Sequence, residues 1–317
     1  MSIRSIRDDH EVIVDTICDV ASGVRSFILR PVTGQALPPW TPGAHVDVVL
    51  PSGSVRQYSL CGHPDPEKGY RIGVLREPES RGGSREVHTL EVGAKIRIGI
   101  PRNEFPLLPS PRYLFLAGGI GITPLLPMIV AAEAAGAEWR LVYGGRSRAS
   151  MAFLDELGSQ AERVTIMPQD ECGLMDLTGL LAVPADDTLV YACGPGGFLD
   201  AVAASMKDWP AGSLRTERFT RNAANEANDH AFEVVLDRSG LSLTVPEDKS
   251  ILGTLQAAGI DVPFSCTQGM CGTCEQEVIE GVPDHRDNVL TPEEREDGKY
   301  ILICVSRCQG ARLVLDM

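Results

Sequence analysis

Four cysteines in the last third of the chain constrain its fold more than any other feature. In chain order they are Cys266, Cys271, Cys274 and Cys304. Four residues separate Cys266 from Cys271, two separate Cys271 from Cys274, and 29 separate Cys274 from Cys304. Thiolates at this spacing are typical of a [2Fe–2S] site. Gly269 and Gly272 let the backbone wrap closely around inorganic sulfide and point its N–H groups at it, so we predict an iron–sulfur cluster.

A structural zinc site and a set of buried free thiols are the alternatives for these cysteines. Zinc ribbons usually have two close CxxC pairs, whereas only Cys271 and Cys274 have that spacing here. Cys308 stands four residues after Cys304 and competes with it as the fourth ligand. We favour Cys304 because it ends a predicted apolar strand, 300–304, which would hold its position.

Length and charge exclude several classes of protein. With 317 residues the chain has room for two or three domains. Its formal net charge of −14 argues against nucleic-acid binding and against anionic membranes. The first ten residues lack the apolar core of a signal peptide, and the uncharged stretch 113–132 contains glycines and prolines that would break a spanning helix. We therefore expect a cytoplasmic protein whose nine cysteines are metal ligands or free thiols.

The pattern of apolar residues changes twice along the chain. Residues 10–106 read as short strands divided by Pro and Gly turns, which predicts an antiparallel barrel or sandwich. From about residue 110, apolar strands alternate with helices, as in an α/β parallel sheet. After a polar linker, two alternating strands predict a hairpin followed by a helix. The domains we expect are 1–107, 108–222 and 232–317, with a linker at 223–231.

A glycine turn follows the predicted strand 113–117 and precedes a helix. Gly119 and Gly121 permit a tight turn through which a pyrophosphate can approach the helix N-terminus. Thr123 is predicted to be the N-cap of a helix at 125–135, with Pro124 in the first turn. The sequence departs from the GxGxxG pattern because proline replaces the last glycine, so an ordinary tight turn remains the alternative.

A second strand and turn carry Cys193, Gly194 and Pro195, also before a helix. Both turns should lie at the carboxyl edge of one parallel sheet, where such folds bind ligands. This pairing favours a dinucleotide site. The alternative for Cys193 is a small buried residue at the end of a strand.

A third candidate site lies in the barrel region. Strand alternation places Arg56 and Tyr58 on one face of their strand and Ser59 on the other. A flavin requires an aromatic surface, a hydroxyl near N5 and positive charge for its phosphate, and these residues supply all three. About 20 residues later, a short helix is predicted at 84–90. The residues at its start would form a phosphate cradle: Arg81, Gly82, Gly83 and Ser84. The alternative for the strand is an ordinary structural role.

Arg146, Ser147 and Arg148 follow the predicted strand 140–143, where an adenosine ribose would lie. They could pair with a 2′-phosphate, which would favour NADPH. A solvated basic loop is the alternative.

Together these motifs resemble those of a known enzyme family. The GGIGITP and YACGP turns with RQYSL and RGGS resemble the ferredoxin–NADP reductase superfamily, and PFSCTQGMCGTCE with ILICVSR resembles plant-type ferredoxins. Their order resembles the phthalate dioxygenase reductase family, which includes the reductases of vanillate-demethylase-type Rieske oxygenases. The resemblance implies a multidomain fold: an antiparallel β-barrel flavin domain, an α/β parallel-sheet nicotinamide domain and an α+β plant-type ferredoxin domain.

The same resemblance implies the function and the cofactors. NADH would reduce FMN, which would pass single electrons to the [2Fe–2S] cluster and on to a terminal Rieske oxygenase; FAD and NADPH stay open. Arg56 and residues 82–84 would hold phosphate, Tyr58 would pack on the flavin ring, and Ser59 and Cys193 would orient flavin and nicotinamide. Phe219 matches the family's aromatic residue near the flavin, although a core phenylalanine is the alternative. We expect a monomeric reductase.

Three competing functions remain open from the sequence. The first is an FAD-containing, NADPH-dependent ferredoxin-type reductase for another acceptor, and the second is a non-catalytic zinc module. The third is a redox sensor that uses the four cysteines with no other assignment: Cys18, Cys61, Cys172 and Cys308.

The negative charge is concentrated at the end of the chain. Residues 221–317 hold 17 acidic and 8 basic side chains, which gives a net charge of −9 out of the total of −14. This predicts that an acidic ferredoxin face steers toward a basic oxygenase surface.

Overall fold

The structure, a computed structural model, describes most of the chain. The described residues are 10–32, 36–65, 68–77, 82–160, 162–219, 229–264, 267, 269, 272–287 and 289–317. The chain divides into two units, Met1–Arg218 and Phe219–Met317. No helix among the described residues is long and apolar enough to cross a membrane.

Six antiparallel strands form the first sheet. They are β1 (His10–Ala21), β2 (Val24–Pro31), β3 (His45–Val49), β4 (Val55–Ser59), β5 (Tyr70–Leu75) and β6 (Lys95–Ile98), with α1 (Gly83–Val87) between the last two. Their order is β4-β3-β6-β1-β2-β5, and an antiparallel bridge between Leu60 and Ile72 joins the two ends of the sheet. Alternating residues such as Val12 and Val14 are fully buried in its core. The antiparallel barrel predicted from the sequence is confirmed.

A fully buried carboxylate in this barrel is paired with a partly exposed arginine. Both guanidinium NH groups of Arg102 donate to the carboxylate of Asp47 at 2.9 Å, and Asp47 has no exposed surface. Burial, together with the positive charge of Arg102, lowers the pKa of the neighbouring His45 to about 4, although the charge of Asp47 opposes the change. Because a buried carboxylate without its partner is costly, this pair matters for stability.

Five parallel strands form the second sheet of the first unit. In chain order the elements are β7 (Arg112–Gly118), α2 (Ile122–Ala134), β8 (Glu138–Gly145), α3 (Leu154–Leu157), β9 (Val164–Pro168), α4 (Gln169–Cys172), α5 (Leu177–Leu180), β10 (Thr188–Gly194), α6 (Gly196–Ser205) and β11 (Leu214–Arg218). The strand order is β11-β10-β7-β8-β9. This confirms the α/β parallel sheet, while β11 was not predicted by the strand–helix alternation.

The beginning of α2 differs from the prediction. The helix starts at Ile122 rather than at 125, and its N-cap is Gly121, with no side-chain cap. Thr123 lies inside the first turn, where its hydroxyl donates to the carbonyl of Ile120 at 2.9 Å, so the predicted N-cap role is wrong. Pro124 is tolerated because the N–H groups of a first helical turn have no intrahelical partners.

The second unit is an α+β domain. Its elements are β12 (Phe232–Leu236), β13 (Leu241–Val245), α7 (Ile251–Ala257), β14 (Glu275–Glu280), β15 (Pro283–Asp284), α8 (Pro292–Asp297), β16 (Tyr300–Leu302), β17 (Arg307–Cys308) and β18 (Arg312–Leu315). The main sheet has the order β13-β12-β18-β14-β16. The β12–β13 pairing confirms the predicted hairpin, and Leu252 and Leu255 of α7 are buried in the core.

The environment of Cys304 also differs from the prediction. The strand β16 ends at Leu302, and Cys304 lies in the turn that follows. The backbone N–H groups of Val305 and Ser306 both donate to the carbonyl of Leu302, at 3.3 and 3.0 Å. A hydrogen-bonded turn, rather than a strand end, therefore holds this cysteine. Of the predicted linker, residues 223–228 lie outside the described residues.

Candidate active site

The two glycine turns of the first unit meet at the carboxyl edge of the parallel sheet. Their strands, β7 and β10, are neighbours, and Cys193 pairs with Ala117. A Cβ on Gly121 would lie 2.2 Å from the carbonyl oxygen of Cys193, and one on Gly194 would lie 2.9 Å from the Cα of Gly118. Only glycine allows backbones to approach this closely. The structure therefore brings together the turns in which Gly119, Gly121, Gly194 and Pro195 were proposed to bind a dinucleotide.

The space around these turns differs from residue to residue. Gly119 has a φ of +55°, and a Cβ there would meet nothing within 4 Å, so this part of the turn is open. Thr123 and Pro124 are buried in the first turn of α2. A phosphate would therefore meet the backbone of the turn, not the Thr123 hydroxyl, which is already engaged.

A group of three polar side chains links the barrel to the parallel sheet. The hydroxyl of Ser59, at the end of β4, donates to Oε2 of Glu217 at 3.4 Å. Glu217 lies on β11, directly beside Cys193 in the parallel register. The structure thus connects Ser59 and Cys193, the residues predicted to orient the flavin and the nicotinamide, through a glutamate that sequence reasoning missed. Its only signal in the sequence was a carboxylate near the end of β11, a strand that the sequence pattern did not predict.

Burial changes the chemistry of this group. Loss of solvent raises the pKa of Glu217 to about 8, opposed by the hydrogen bond from Ser59 and reinforced by the negative charge of Glu104. Cys193 has no exposed surface, and burial followed by the charge of Glu217 raises the pKa of its thiol well above the ordinary value. Near neutral pH the site therefore holds a neutral thiol beside a carboxyl that is harder to ionise than an ordinary glutamate, so Cys193 is not poised as a nucleophile.

The predicted phosphate cradle is assembled in the barrel. The side chain of Arg56 lies directly over the turn before α1, because a Cβ on Gly83 would be 2.1 Å from Arg56 Nε. Gly82 precedes the helix in a left-handed conformation, with φ 95°, and the Ser84 hydroxyl accepts a hydrogen bond from the backbone N–H of Glu77 at 3.1 Å. A guanidinium beside a glycine turn fits a phosphate. Arg81 lies outside the described residues.

Two aromatic residues were predicted to contact the flavin. Tyr58 is partly exposed and packs against the barrel core. Burial raises the pKa of its hydroxyl, an effect that Arg56 opposes. Phe219 directly follows β11 and is also partly exposed. Both rings retain surface that a planar ligand could cover.

The loop after β8 was predicted to contact the adenosine ribose. Arg148 is already paired with Glu171, with nitrogen–oxygen distances of 2.9 and 3.2 Å. This pairing raises the pKa of Arg148 and lowers that of Glu171. Ser147 is engaged in a capping box with Ser150, while Arg146 is exposed. A 2′-phosphate would have to compete with Glu171 for Arg148.

The second unit carries the cysteine site. Cys274 and Cys304 are 2% and 6% exposed, and neither forms a disulfide. Gly269 and Gly272, between the first three cysteines, have φ values of +70° and +68°. A Cβ on Gly269 would lie 2.5 Å from Val305 Cγ2, so only glycine fits at this position beside the Cys304 turn. Two buried thiols beside such a loop fit a [2Fe–2S] cluster; Cys266 and Cys271 lie outside the described residues.

The remaining cysteines have other surroundings. The thiol of Cys308 donates to the carbonyl of Arg312 at 3.2 Å, an engagement that favours Cys304 as the fourth cluster ligand. Burial raises the pKa of Cys61 to about 12, and Cys18 and Cys172 are exposed. High-pKa thiols react slowly, which argues against a sensor that uses Cys61.

Comparison with known proteins identifies the second unit. Residues 234–309 match the family model of the 2Fe-2S iron-sulfur cluster binding domain. This range contains all four cysteines of the predicted site. The match supports an iron–sulfur cluster and counts against the zinc module.

The whole chain has relatives of nearly the same length. It is 41% identical over 315 residues to a toluene-4-sulfonate monooxygenase system reductase subunit of Comamonas testosteroni, covering 98% of this chain and 99% of that protein. It is also 41% identical to a vanillate O-demethylase oxidoreductase of Pseudomonas sp. strain HR199, with 97% and 99% covered.

Solved structures show the same similarity. Phthalate dioxygenase reductase, described as a modular structure for electron transfer from pyridine nucleotides to [2Fe-2S], matches with a TM-score of 0.76 at 36% identity, covering 98% of both chains. An intact type IV self-sufficient cytochrome P450 monooxygenase matches with a TM-score of 0.86 at 43% identity. The chain covers only 41% of that longer protein.

Proposed function

Because the chain belongs to the family of oxygenase reductase subunits that includes phthalate dioxygenase reductase, we propose that it carries electrons from NADH through FMN and a [2Fe–2S] cluster to a Rieske-type oxygenase. The observation that carries this proposal is the coincidence of three assembled sites. The two glycine turns suit a dinucleotide, the Arg56–Gly83 cradle suits a flavin phosphate, and the buried thiols of Cys274 and Cys304 suit an iron–sulfur cluster. A bound flavin supplies the step from two-electron chemistry with NADH to one-electron chemistry with the cluster.

The nicotinamide coenzyme would bind along the carboxyl edge of the parallel sheet. Backbone N–H groups of the turns at Gly119–Gly121 and Gly194 would face its pyrophosphate. We expect NADH to be preferred, because Glu171 already occupies Arg148 and would repel a 2′-phosphate. Arg146, which is exposed, would leave a weaker use of NADPH.

The Ser59–Glu217–Cys193 group would orient the reacting rings. The carboxyl of Glu217, which accepts a hydrogen bond from the Ser59 hydroxyl, would hold this hydroxyl beside the predicted flavin position. Cys193 would act as a small, neutral contact for the nicotinamide. These residues would contribute by proximity and orientation rather than by proton transfer or nucleophilic attack.

The flavin would be held mainly by the barrel. Arg56 and the turn Gly82–Ser84 would bind its phosphate, and Tyr58 and Phe219 would cover its ring. A single phosphate cradle suits FMN. Chromatographic identification of the released flavin tests this assignment, and recovery of FAD would contradict it.

The acceptor is proposed to be an oxygenase component with a basic docking surface. The relatives named above are reductase subunits of oxygenase systems, and the acidic residues of 221–317 would steer such a partner. The similarity to a self-sufficient cytochrome P450 supports a haem oxygenase as the second candidate acceptor. Comparing electron-transfer rates to a Rieske oxygenase and to a P450 haem domain over a range of ionic strengths would separate the two.

The proposed electron path is tested by removing one cluster ligand. In the Cys271→Ala variant, NADH-dependent reduction of cytochrome c should be lost while reduction of ferricyanide persists, because ferricyanide accepts electrons from the flavin. The Cys172→Ala variant, in which an exposed cysteine is removed, is the control and should keep both activities. Equal loss of both activities in Cys271→Ala would contradict the assigned order.

A further inference from the structure

A buried aspartate joins the two parts of the cysteine site. Asp287 is 2% exposed, and none of its carboxylate surface reaches solvent. Its Cα would be 2.9 Å from a Cβ placed on Gly269, so its backbone packs against Gly269, which lies between Cys266 and Cys271 in the sequence. The hydroxyl of Ser306 donates to its Oδ1 at 3.3 Å. Ser306 itself is fully buried and lies two residues after Cys304.

The remaining hydrogen bonds hold the Asp287 carboxylate rigidly. The backbone N–H groups of Val289 and Leu290 donate to Oδ2, at 3.1 and 2.9 Å. The Ser306 hydroxyl also accepts from the backbone N–H of Arg286 at 3.1 Å. The carboxylate thus accepts hydrogen bonds from Val289, Leu290 and Ser306, which fix its position.

One cation lies close to this carboxylate among the described residues. Nη2 of Arg295, on α8, donates to the backbone carbonyl of Asp287 at 2.7 Å and lies 3.6 Å from Oδ2 of its carboxylate. Its side chain is 37% exposed, so solvent screens its charge more than that of Asp287. The imidazole of His285 is 3.8 Å away. Burial lowers the pKa of this histidine, which leaves it neutral near pH 7.

We propose that Asp287 is a positioning residue for the iron–sulfur cluster, which ties the Gly269 loop to the Cys304 turn and lowers the reduction potential of the cluster with its buried negative charge. The inference rests on the proposed cluster site. A fixed negative charge beside the site opposes the arrival of an electron, and net charge and hydrogen bonding are known to set such potentials. A low potential makes the reduced cluster a stronger donor to the next acceptor.

The test is a redox titration of the full-length, flavin-loaded protein, followed by EPR of the cluster. Asp287→Asn keeps the size of the side chain and removes its charge. We expect the ratio of reduced to oxidised cluster at a fixed poise to rise about tenfold, which corresponds to about 59 mV for a one-electron couple. Asp287→Glu retains the charge and should stay near the wild-type potential. Asp248→Asn removes an exposed charge from the same unit and should have no effect.

A second variant tests the same idea if Asp287→Asn fails to load its cluster. Arg295→Met leaves the buried carboxylate without its nearest cation and should shift the potential in the opposite direction, making the cluster harder to reduce. Arg238→Met, at an arginine that is 70% exposed, is the matched control. An unchanged potential in loaded Asp287→Asn, or in Arg295→Met where the first variant does not load, overturns the inference. Absence of [2Fe–2S] signals from the wild-type protein would instead refute the proposed function.

Discussion

Replacing Glu217 by glutamine should make the stability of the first unit less sensitive to pH. In the folded protein, burial raises the pKa of this carboxyl from 4.5 to about 8. In the unfolded chain the same group ionises near its ordinary value. Between these two pH values the folded state binds more protons, so the free energy of unfolding falls as pH rises. Above about pH 8 this loss of stability is complete. Glutamine does not ionise, so the variant does not lose stability in this way.

The size of the effect follows from the shift. One pKa unit corresponds to about 1.4 kcal/mol, so the full shift of Glu217 would amount to roughly 5 kcal/mol. The Glu217 side chain is partly exposed, and solvent screening reduces the realised part to about 2 kcal/mol. We therefore expect Glu217→Gln to match the wild type at pH 5 and to be more stable by about 2 kcal/mol at pH 9.

Urea unfolding monitored by tryptophan fluorescence measures this difference. All three tryptophans, Trp40, Trp139 and Trp209, lie in the unit Met1–Arg218, so the signal reports on the part of the protein that contains Glu217. The difference in the free energy of unfolding between variant and wild type is measured at pH 9 and at pH 5, and the second difference is subtracted from the first. Glu91→Gln, at an exposed carboxylate of the same unit, should show no such dependence. Equal differences at both pH values would refute the reasoning, because they would mean that Glu217 ionises normally.

Three further substitutions test other parts of the first unit. Gly121→Ala places a Cβ 2.2 Å from a β10 carbonyl oxygen and should raise the KM for NADH at least several-fold, whereas Gly197→Ala, with nothing within 4 Å, should not. Asp47→Asn weakens the buried ion pair of the barrel and should cost about 3 kcal/mol, seen as a lower urea midpoint. Glu171→Gln frees Arg148 and should raise kcat/KM for NADPH relative to NADH; an unchanged ratio would show that this pair does not control coenzyme choice.

The short-range motifs were predictable because each depends on local chemistry. The spacing of Cys266, Cys271 and Cys274 predicts an iron–sulfur site without knowledge of the fold, and the family model confirms that domain. The barrel, the parallel sheet and the β12–β13 hairpin follow from the period of the apolar residues and from turn residues. The pairing of the two glycine turns follows from the rule that parallel strands end at the same edge.

The predictions that failed concern residues whose environment is set by distant parts of the chain. Thr123 has the identity of an N-cap, yet the helix begins before it, since the Gly121 backbone must pack against the β10 carbonyl. Cys304 was expected at a strand end, but backbone hydrogen bonds to Leu302 form a turn there. Local propensity could not reveal either contact.

The three sites, their order along the chain and the kind of group that each would bind were predicted from the sequence alone, because ligand spacing and turn chemistry depend on neighbouring residues. The charges around these sites depend on contacts that the tertiary fold makes. Glu217 meets Ser59 across 158 positions, and Asp287 meets Ser306 across 19. The pKa of a carboxyl, and its effect on a neighbouring group, depend on the solvent and donors around it, and these are supplied by chain segments that only folding brings together.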